Sequence, residues 1–338
     1  MQPSELILEG ERVLRICNSC RYCEGYCAVF PAMERRQTFL SGDLNYLANL
    51  CHNCSECYYA CQYAPPHEFA VNVPKLLVDI RAQSYRQYAW PGAVSDGTVA
   101  SVVIAASLIL SMLSARGAGA DFYRVVPHAA MVWLFGGASI LVLVAFAAGF
   151  VRFWRDSGEQ LAAFANPGAL FQALKDVLTL RYLDGGGGGC SYPGEQQSQS
   201  RRWFHHFTFY GFGLCFASTT AAALYHYALG WKAPYGYFSV PVVLGTCGGI
   251  AMVAGTLGLA WLKRMREISF LALLFLVSAS GLLLLALRQT AAMGALLTVH
   301  LGIVLALFLT MPYGKFVHAI YRSAALVKYS LESRGVHR

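Results

Sequence analysis

The chain has 338 residues, 56% of them hydrophobic and only 13% charged, with a formal net charge of +8. Soluble domains carry about 25% charged residues, so an ordinary soluble protein throughout is excluded. Residues 1–95 hold 8 Lys and Arg against 9 Asp and Glu, whereas residues 96–338 hold 18 against 9. The charge excess therefore lies wholly in the apolar part, where it points to membrane topology and not to nucleic-acid binding.

In chain order, residues 4–16 read as a short helix leading into the first of two cysteine runs. Cys17, Cys20, Cys23 and Cys27 form one run and Cys51, Cys54, Cys57 and Cys61 the other, both spaced C-x2-C-x2-C-x3-C. Three thiols this close can wrap one cubane iron–sulfur cluster on a single loop. Zinc sites tend to use separated pairs. Disulfides need an oxidising compartment, and nothing before the runs reads as a secretory signal. In two-cluster ferredoxins the fourth cysteine of each run ligates the other cluster. Carried over, one [4Fe-4S] cluster takes Cys17, Cys20, Cys23 and Cys61, and the second takes Cys51, Cys54, Cys57 and Cys27. Ala28 and Gln62 stand where the ferredoxin run continues with Pro, so the crossed pairing is an expectation from pattern alone.

The spacer 33–50 reads as partly helical, and Ala64-Pro65-Pro66 stops regular structure. Pro74 suits the first turn of a helix over 75–88, which Trp90-Pro91-Gly92 ends at an expected membrane interface. Six apolar stretches follow, at 97–115, 127–151, 206–229, 239–262, 268–287 and 293–314, each about long enough for a ~30 Å hydrocarbon core. With the N-terminus inside, fourteen Lys and Arg fall on inner segments after the first span and four on outer loops, which sets both termini in the cytoplasm. The expected location is a bacterial inner membrane, crossed several times. Within the inner connection, Asn166-Pro167 starts a helix whose Leu170, Phe171, Leu174, Val177 and Leu178 recur at helical spacing, as in a helix lying on the membrane surface. Gly185–Gly189 lack a following Gly-Lys-Ser/Thr and read as a flexible linker, with a docking or quinone-contacting loop as the sharper alternative. The glycines of the fourth stretch, such as Gly248 and Gly255, read as close helix packing.

No Asp, Glu, Lys or Arg lies within the six stretches, which argues against an ion-coupled pump. The ionisable groups there are mainly histidines, and intramembrane polar groups are usually functional. A neutral imidazole is a haem axial ligand. His205, His206 and His318 fall at the inner side; His128, His226 and His300 toward the outer. His300 and His318 are 18 residues apart, five turns if one helix continues, or roughly 27 Å. The expectation is one or two b haems, the inner held by His318 with His205 or His206 and the outer by His300 with His226 or His128. His52 and His67 read as structural or as supports behind a ligand, and Cys190, Cys215 and Cys247 receive no ligand role.

Several motifs carry a specific resemblance: Cys20-Arg-Tyr-Cys-Glu-Gly-Tyr-Cys-Ala-Val-Phe-Pro31, the segment from Cys57 to Pro74, Phe204-His-His-Phe207, and Pro312-Tyr-Gly-Lys-Phe-Val-His318. In these the chain resembles the tricarballylate/citrate utilization protein B family over nearly its whole length. The resemblance implies a membrane electron-transfer protein with two [4Fe-4S] clusters and haem b. It also implies a separate FAD-dependent tricarballylate dehydrogenase, making cis-aconitate, whose reduced flavin this protein reoxidises at the expense of quinone. No G-x-G-x-x-G opens a helix after a strand here, so the dehydrogenation belongs on that partner and this chain carries no catalytic residue of its own. The expected fold is mainly α: a cytoplasmic two-cluster ferredoxin-like domain at 1–95, transmembrane helices at 96–151, a cytoplasmic connection at 152–205, four further helices at 206–314 in a six-helix bundle of cytochrome b type, and a cytoplasmic tail at 315–338. The rival readings are a redox-sensing or transport-associated membrane anchor, and the same conduit serving a different carboxylate-oxidising flavoenzyme.

Overall fold

The computed structural model describes residues 3–93, 101–102, 105–106, 122–191, 194–263 and 268–335. The stretch expected to span first, 97–115, falls almost wholly outside them. The described chain is helical, with no strand beyond one bridged pair, Cys190 with Ser198. It divides into two compact units: Met1–Ala93 with Ala145–Arg202 and Lys315–Arg338, and Val94–Val144 with Trp203–Gly314.

The first unit contains both cysteine runs. Helix α1 (Pro3–Cys20) turns Leu6, Val13 and Leu14 inward, seven and eight residues apart as one helix face requires. The short α2 (Val29–Met33) follows the first run, and α3 (Ser41–Leu50) leads into the second. At the start of α3 the Asp43 carboxylate accepts the Leu40 N–H at 3.2 Å. After α4 (Glu56–Tyr59), α5 (Val73–Tyr88) begins as its sequence dictates: Pro74 lies in the first turn and the Asn72 side chain accepts the Lys75 N–H at 3.1 Å.

Three later segments complete this core. After α6 (Phe122–Val125) comes α7 (His128–Asp156), whose last turns bury Phe153 and Trp154. Those turns are tied by Arg152 to the Ala89 carbonyl at 2.7 Å and by Asp156 to the Asn45 amide at 2.8 Å. In α8 (Pro167–Leu178), Ala169 and Ala173 face inward while Phe171 and Leu174 remain 70% and 54% exposed. That is an apolar outer face no ordinary soluble helix needs. The C-terminal helix α13 (His318–Ser333) buries Tyr321, Ala325 and Leu331.

The second unit is built of long apolar helices: most of α7, nearly all of α9 (Ser200–Leu229), then α10 (Val240–Lys263), α11 (Ile268–Leu287) and α12 (Met293–Thr310). Among the described residues, five helices are long and apolar enough to cross a membrane. Glycines let α9 and α10 touch backbone to backbone. A Cβ on Gly248 would meet the Gly211 carbonyl oxygen at 2.8 Å, and one on Gly255 the Thr208 nitrogen at 2.6 Å. Small-residue packing of this kind is how helices associate where no hydrophobic drive separates them from lipid. Trp133, Phe238 and Trp261 are 82%, 97% and 76% exposed, an outward display that suits lipid and not water.

Candidate metal centres

The first cysteine site forms where α1 ends. Cys17 and Cys20 occupy its last turn, and the chain then reverses through Arg21 at φ 56, whose N–H reaches the Cys17 carbonyl at 2.8 Å. The reversal brings Cys23 back toward Cys17. Cys61 arrives from the far side of α4, so Cys17, Cys20, Cys23 and Cys61 line one cavity of about 260 Å³ together with Cys57, Phe30, Val71 and Val73. Burial, then the nearby Cys61 sulfur, pushes the Cys17 thiol up to about 12; the same two causes push Cys23 up to about 12.

The second site is more deeply enclosed. Cys51 follows the last residue of α3, Cys54 lies in the intervening loop, Cys57 is on α4, and Cys51 and Cys54 are buried. Cys27 stands among them: burial raises its pKa well above the usual thiol range, and Cys54 and Cys51 are its foremost charged neighbours. Cys57 is raised likewise, by burial and then by Cys51, Cys27 and Cys54. Among the described residues no His, Cys, Asp and Glu group of three or more is drawn together tightly enough for a single metal ion. A cubane spreads its thiolates more widely than one ion does. Thiols crowded together in this way are a donor set that a bound metal centre would hold deprotonated, and cysteines gathered around one cavity at this spacing fit an iron–sulfur cluster.

Three arginines that sequence reasoning counted only as charge, or passed over, bind the second run. The carbonyl oxygen of Cys51 accepts from Arg81 of α5 at 2.5 Å and from Arg322 of α13, which also reaches the Leu50 carbonyl at 3.3 Å. Arg201, in the first turn of α9, donates to the His52 carbonyl at 3.0 Å and to that of Asn53. Burial, then the neighbouring Arg81 charge, lowers the Arg322 pKa to about 10, so it stays charged at neutral pH.

Gly185–Gly189 are not the flexible linker that composition suggests. Gly185, Gly186, Gly187 and Gly189 all take positive φ, and the loop is closed by paired Cys190–Ser198 backbone bonds of 2.9 and 3.1 Å. It folds back against the cysteine region: a Cβ on Gly186 would lie 3.0 Å from the Gly25 carbonyl, and the Gln197 amide donates to buried Glu56 at 2.5 Å. Cys190 packs with Cys54, Leu180 and Leu183; its thiol donates to the Leu183 carbonyl at 3.7 Å, and its closeness lowers the Cys54 pKa from the ordinary value. A close neighbour of a candidate ligand was therefore passed over. The sole sequence signal was a cysteine directly after a glycine run.

The histidines divide. His318 opens α13 in the first unit, and its Nδ1 lies 2.5 Å from the Lys315 carbonyl oxygen. A carbonyl there requires an Nδ1–H and makes Nε2 the lone-pair nitrogen. Burial lowers its pKa to about 4, so the ring is neutral. In the second unit, His300 Nδ1 lies 3.0 Å from Ser280 Oγ, and its ring rests over Gly281, where a Cβ would come within 3.0 Å. His128 and His226 stack with ring centroids 4.0 Å apart, and Tyr123 Oη lies 3.5 Å from His226 Nδ1. No haem fits between rings so placed, so in this arrangement the pair presents one ring at most to an iron. His206 stacks on Tyr210 at 5.7 Å, and His205 precedes it in α9. The helical phase linking His300 to His318 does not apply, because α12 ends at Thr310 and a 3-10 turn, Lys315–Val317, intervenes. His67 Nδ1 accepts the Phe69 N–H at 3.0 Å.

Residues 98–337 match the family model for Citrate utilization protein B, and residues 10–89 match the model for its Fer4-like domain. The chain is 48% identical over 353 residues to Citrate utilization protein B of Escherichia coli, covering 96% of this chain and 92% of that protein. No solved structure matches. With both family models satisfied in tandem and that identity held over nearly its full length, the chain belongs to the Citrate utilization protein B family.

Proposed function

We propose that the chain is a membrane electron-transfer protein that reoxidises the FAD of a separate tricarballylate dehydrogenase and delivers the electrons to quinone. What supports this reading is the place of the fourth cysteines: Cys61 lines the cavity of the first run, and Cys27 has Cys54 and Cys51 as its foremost charged neighbours. Two [4Fe-4S] clusters at those thiols, with haem b at the membrane histidines, would supply one-electron carriage between a two-electron flavin and the bilayer.

The chain's own residues shape the rest. Tyr22, 68% exposed at the rim of the first site's cavity, leaves that site accessible to a docking protein. The second site is shut in by Cys190, Leu180 and Leu183. His318, held by the Lys315 carbonyl, and His300, held by Ser280, are the axial ligands we favour, with His205 or His206 and His226 or His128 opposite them. The exposed Phe171 and Leu174 of α8 would rest on lipid. In this reading residues 1–95 are cytoplasmic, six helices cross the inner membrane as in a cytochrome b, and both termini lie inside.

The test joins the chain to its dehydrogenase. Membranes containing both proteins should reduce quinone when given tricarballylate, and the purified chain should carry two clusters and a b-type optical spectrum. A redox sensor or transport anchor would load clusters yet give no substrate-dependent quinone reduction. A conduit for another flavoenzyme would reduce quinone only with that enzyme's carboxylate.

A further inference from the structure

The two cysteine sites differ sharply in the positive charge placed on them. Three guanidinium groups from α5, α9 and α13 converge on four consecutive residues of the second run, Leu50 to Asn53, and all are at least partly buried. They donate to carbonyl oxygens of the loop itself, so their charge sits beside the site. Glu56, buried and tied to Gln197 and Ser191, opposes them. The first run has a weaker counterpart. Arg21 donates to the Asn18 carbonyl at 3.1 Å, but it is exposed, where water and salt screen it.

Charge acts more strongly across a buried loop than across water. Reducing a cluster adds a negative charge, which nearby cations favour, so they raise its reduction potential. Solvent exposure also raises such a potential, which favours the open first site; the buried guanidinium charges beside the second site act against that difference and exceed it.

We propose that Arg81, Arg201 and Arg322 form a cationic clasp on the second cysteine loop that holds its cluster at a higher reduction potential than the first. The inference rests on the reading of both runs as cluster sites. It gives the pair a direction, from the open site toward the enclosed one. The arginines are positioning residues, since they touch the loop carbonyls and not the reacting atoms.

The experiment is a redox titration of the anaerobically purified full chain, followed by EPR, after iron and acid-labile sulfide have been counted. Cys54→Ser identifies the second cluster's signal. In the unaltered protein that cluster should be reduced first. Arg322→Gln should lower its reduction equilibrium constant by about tenfold, 59 mV for one electron, and leave the first cluster unmoved. Arg322→Lys, which keeps the charge, should recover most of the shift. If Arg322→Gln disturbs folding, Arg81→Gln provides the same comparison from another helix. Two unmoved potentials in a fully loaded variant would overturn the proposal. So would equal shifts in the Gln and Lys variants, which would trace to lost hydrogen bonds and not to charge. An unaltered chain that binds no clusters would fail earlier, at the iron count, and would remove the cluster reading as well.

Discussion

Arg36, just beyond α2, pairs with Glu332, near the end of α13, at 2.6 Å, joining positions 296 residues apart in sequence. The guanidinium also holds Asp43 at 2.6 Å, and Tyr46 donates to the other Glu332 oxygen at 3.1 Å. Both ends of the pair are nearly buried, at 10% and 12% exposure. Removing Glu332 leaves Arg36 with Asp43 alone, so the cost lies below the roughly 3–5 kcal/mol of a fully unpaired buried charge. Glu332→Ala should therefore lower the melting temperature of the detergent-solubilised protein and expose the C-terminal helix to protease before the rest. Glu332→Gln, which keeps the hydrogen bonds to Tyr46 and Arg36, should lose less. Equal melting temperatures for all three proteins would mean that the pair contributes nothing.

Gly42 carries a second constraint of the same core. A Cβ at this position would run into the main-chain oxygen of Asp156, the last residue of α7. The obstruction is backbone, so no side-chain rotation relieves it. Gly42→Ala should push α3 away from α7, strain the Asn45–Asp156 hydrogen bond of 2.8 Å, and destabilise the unit by about 1–3 kcal/mol, the range typical of overpacking. Thermal unfolding with an Asn45→Ala control, which removes the hydrogen bond alone, separates the steric from the polar effect.

Much of this was legible in the sequence, for local reasons. The cysteine runs are legible because ligand spacing is set within eleven residues of chain, and α5 and α8 because Asn72-Val-Pro74 and Asn166-Pro167 are caps read within one turn. What surrounds the second run was not legible. Arg201 and Arg322 reach it across sequence separations of 148 and 271, and in the chain each reads only as one more basic residue. The glycine run misled for a related reason. Composition shows a chain free to bend, but not the Cys190–Ser198 bonds that fix the bend. The end of α12 at Thr310 falls two residues before Pro312, which cannot continue a helix, and a 3-10 turn follows it.

Gly186 offers a direct measure of how firmly that loop is held. It sits at φ +79, where a side chain is strained, and a Cβ would lie 3.0 Å from the Gly25 carbonyl. Gly186→Ala should cost about 1–3 kcal/mol. Gly194, whose Cβ would meet nothing within 4 Å, is the control at which alanine should be tolerated. Faster oxygen-dependent bleaching of the second cluster in Gly186→Ala alone is the expected result. Identical bleaching in both variants would mean that the loop does not shield the site.

The membrane histidines are tested by haem content. His300→Ala and His318→Ala should each reduce the b-type absorbance per chain. Ser280→Ala should weaken haem retention less, since groups that orient a ligand typically contribute about 10- to 100-fold in affinity. The stacked His128–His226 pair gives the sharper contrast. Only one ring can serve as a ligand in that arrangement, so of His128→Ala and His226→Ala one should lose haem and the other should retain it. Full haem in all four histidine variants would end the assignment.

The crossed pairing of cysteines makes a prediction that the in-run alternative reverses. Cys61 belongs to the second run by sequence but lines the cavity with Cys17, Cys20 and Cys23. Cys27 belongs to the first run but has Cys54 and Cys51 as its foremost charged neighbours. Cys20→Ser and Cys54→Ser, each disabling one run near its middle, provide reference EPR spectra for the loss of either cluster. Cys61→Ser should then resemble Cys20→Ser, and Cys27→Ser should resemble Cys54→Ser. If each run holds its own cluster, the matches exchange. Iron per chain guards against a trivial outcome: each variant should retain about half of the eight irons that two [4Fe-4S] clusters contain, so a variant with none has lost the fold and not a ligand.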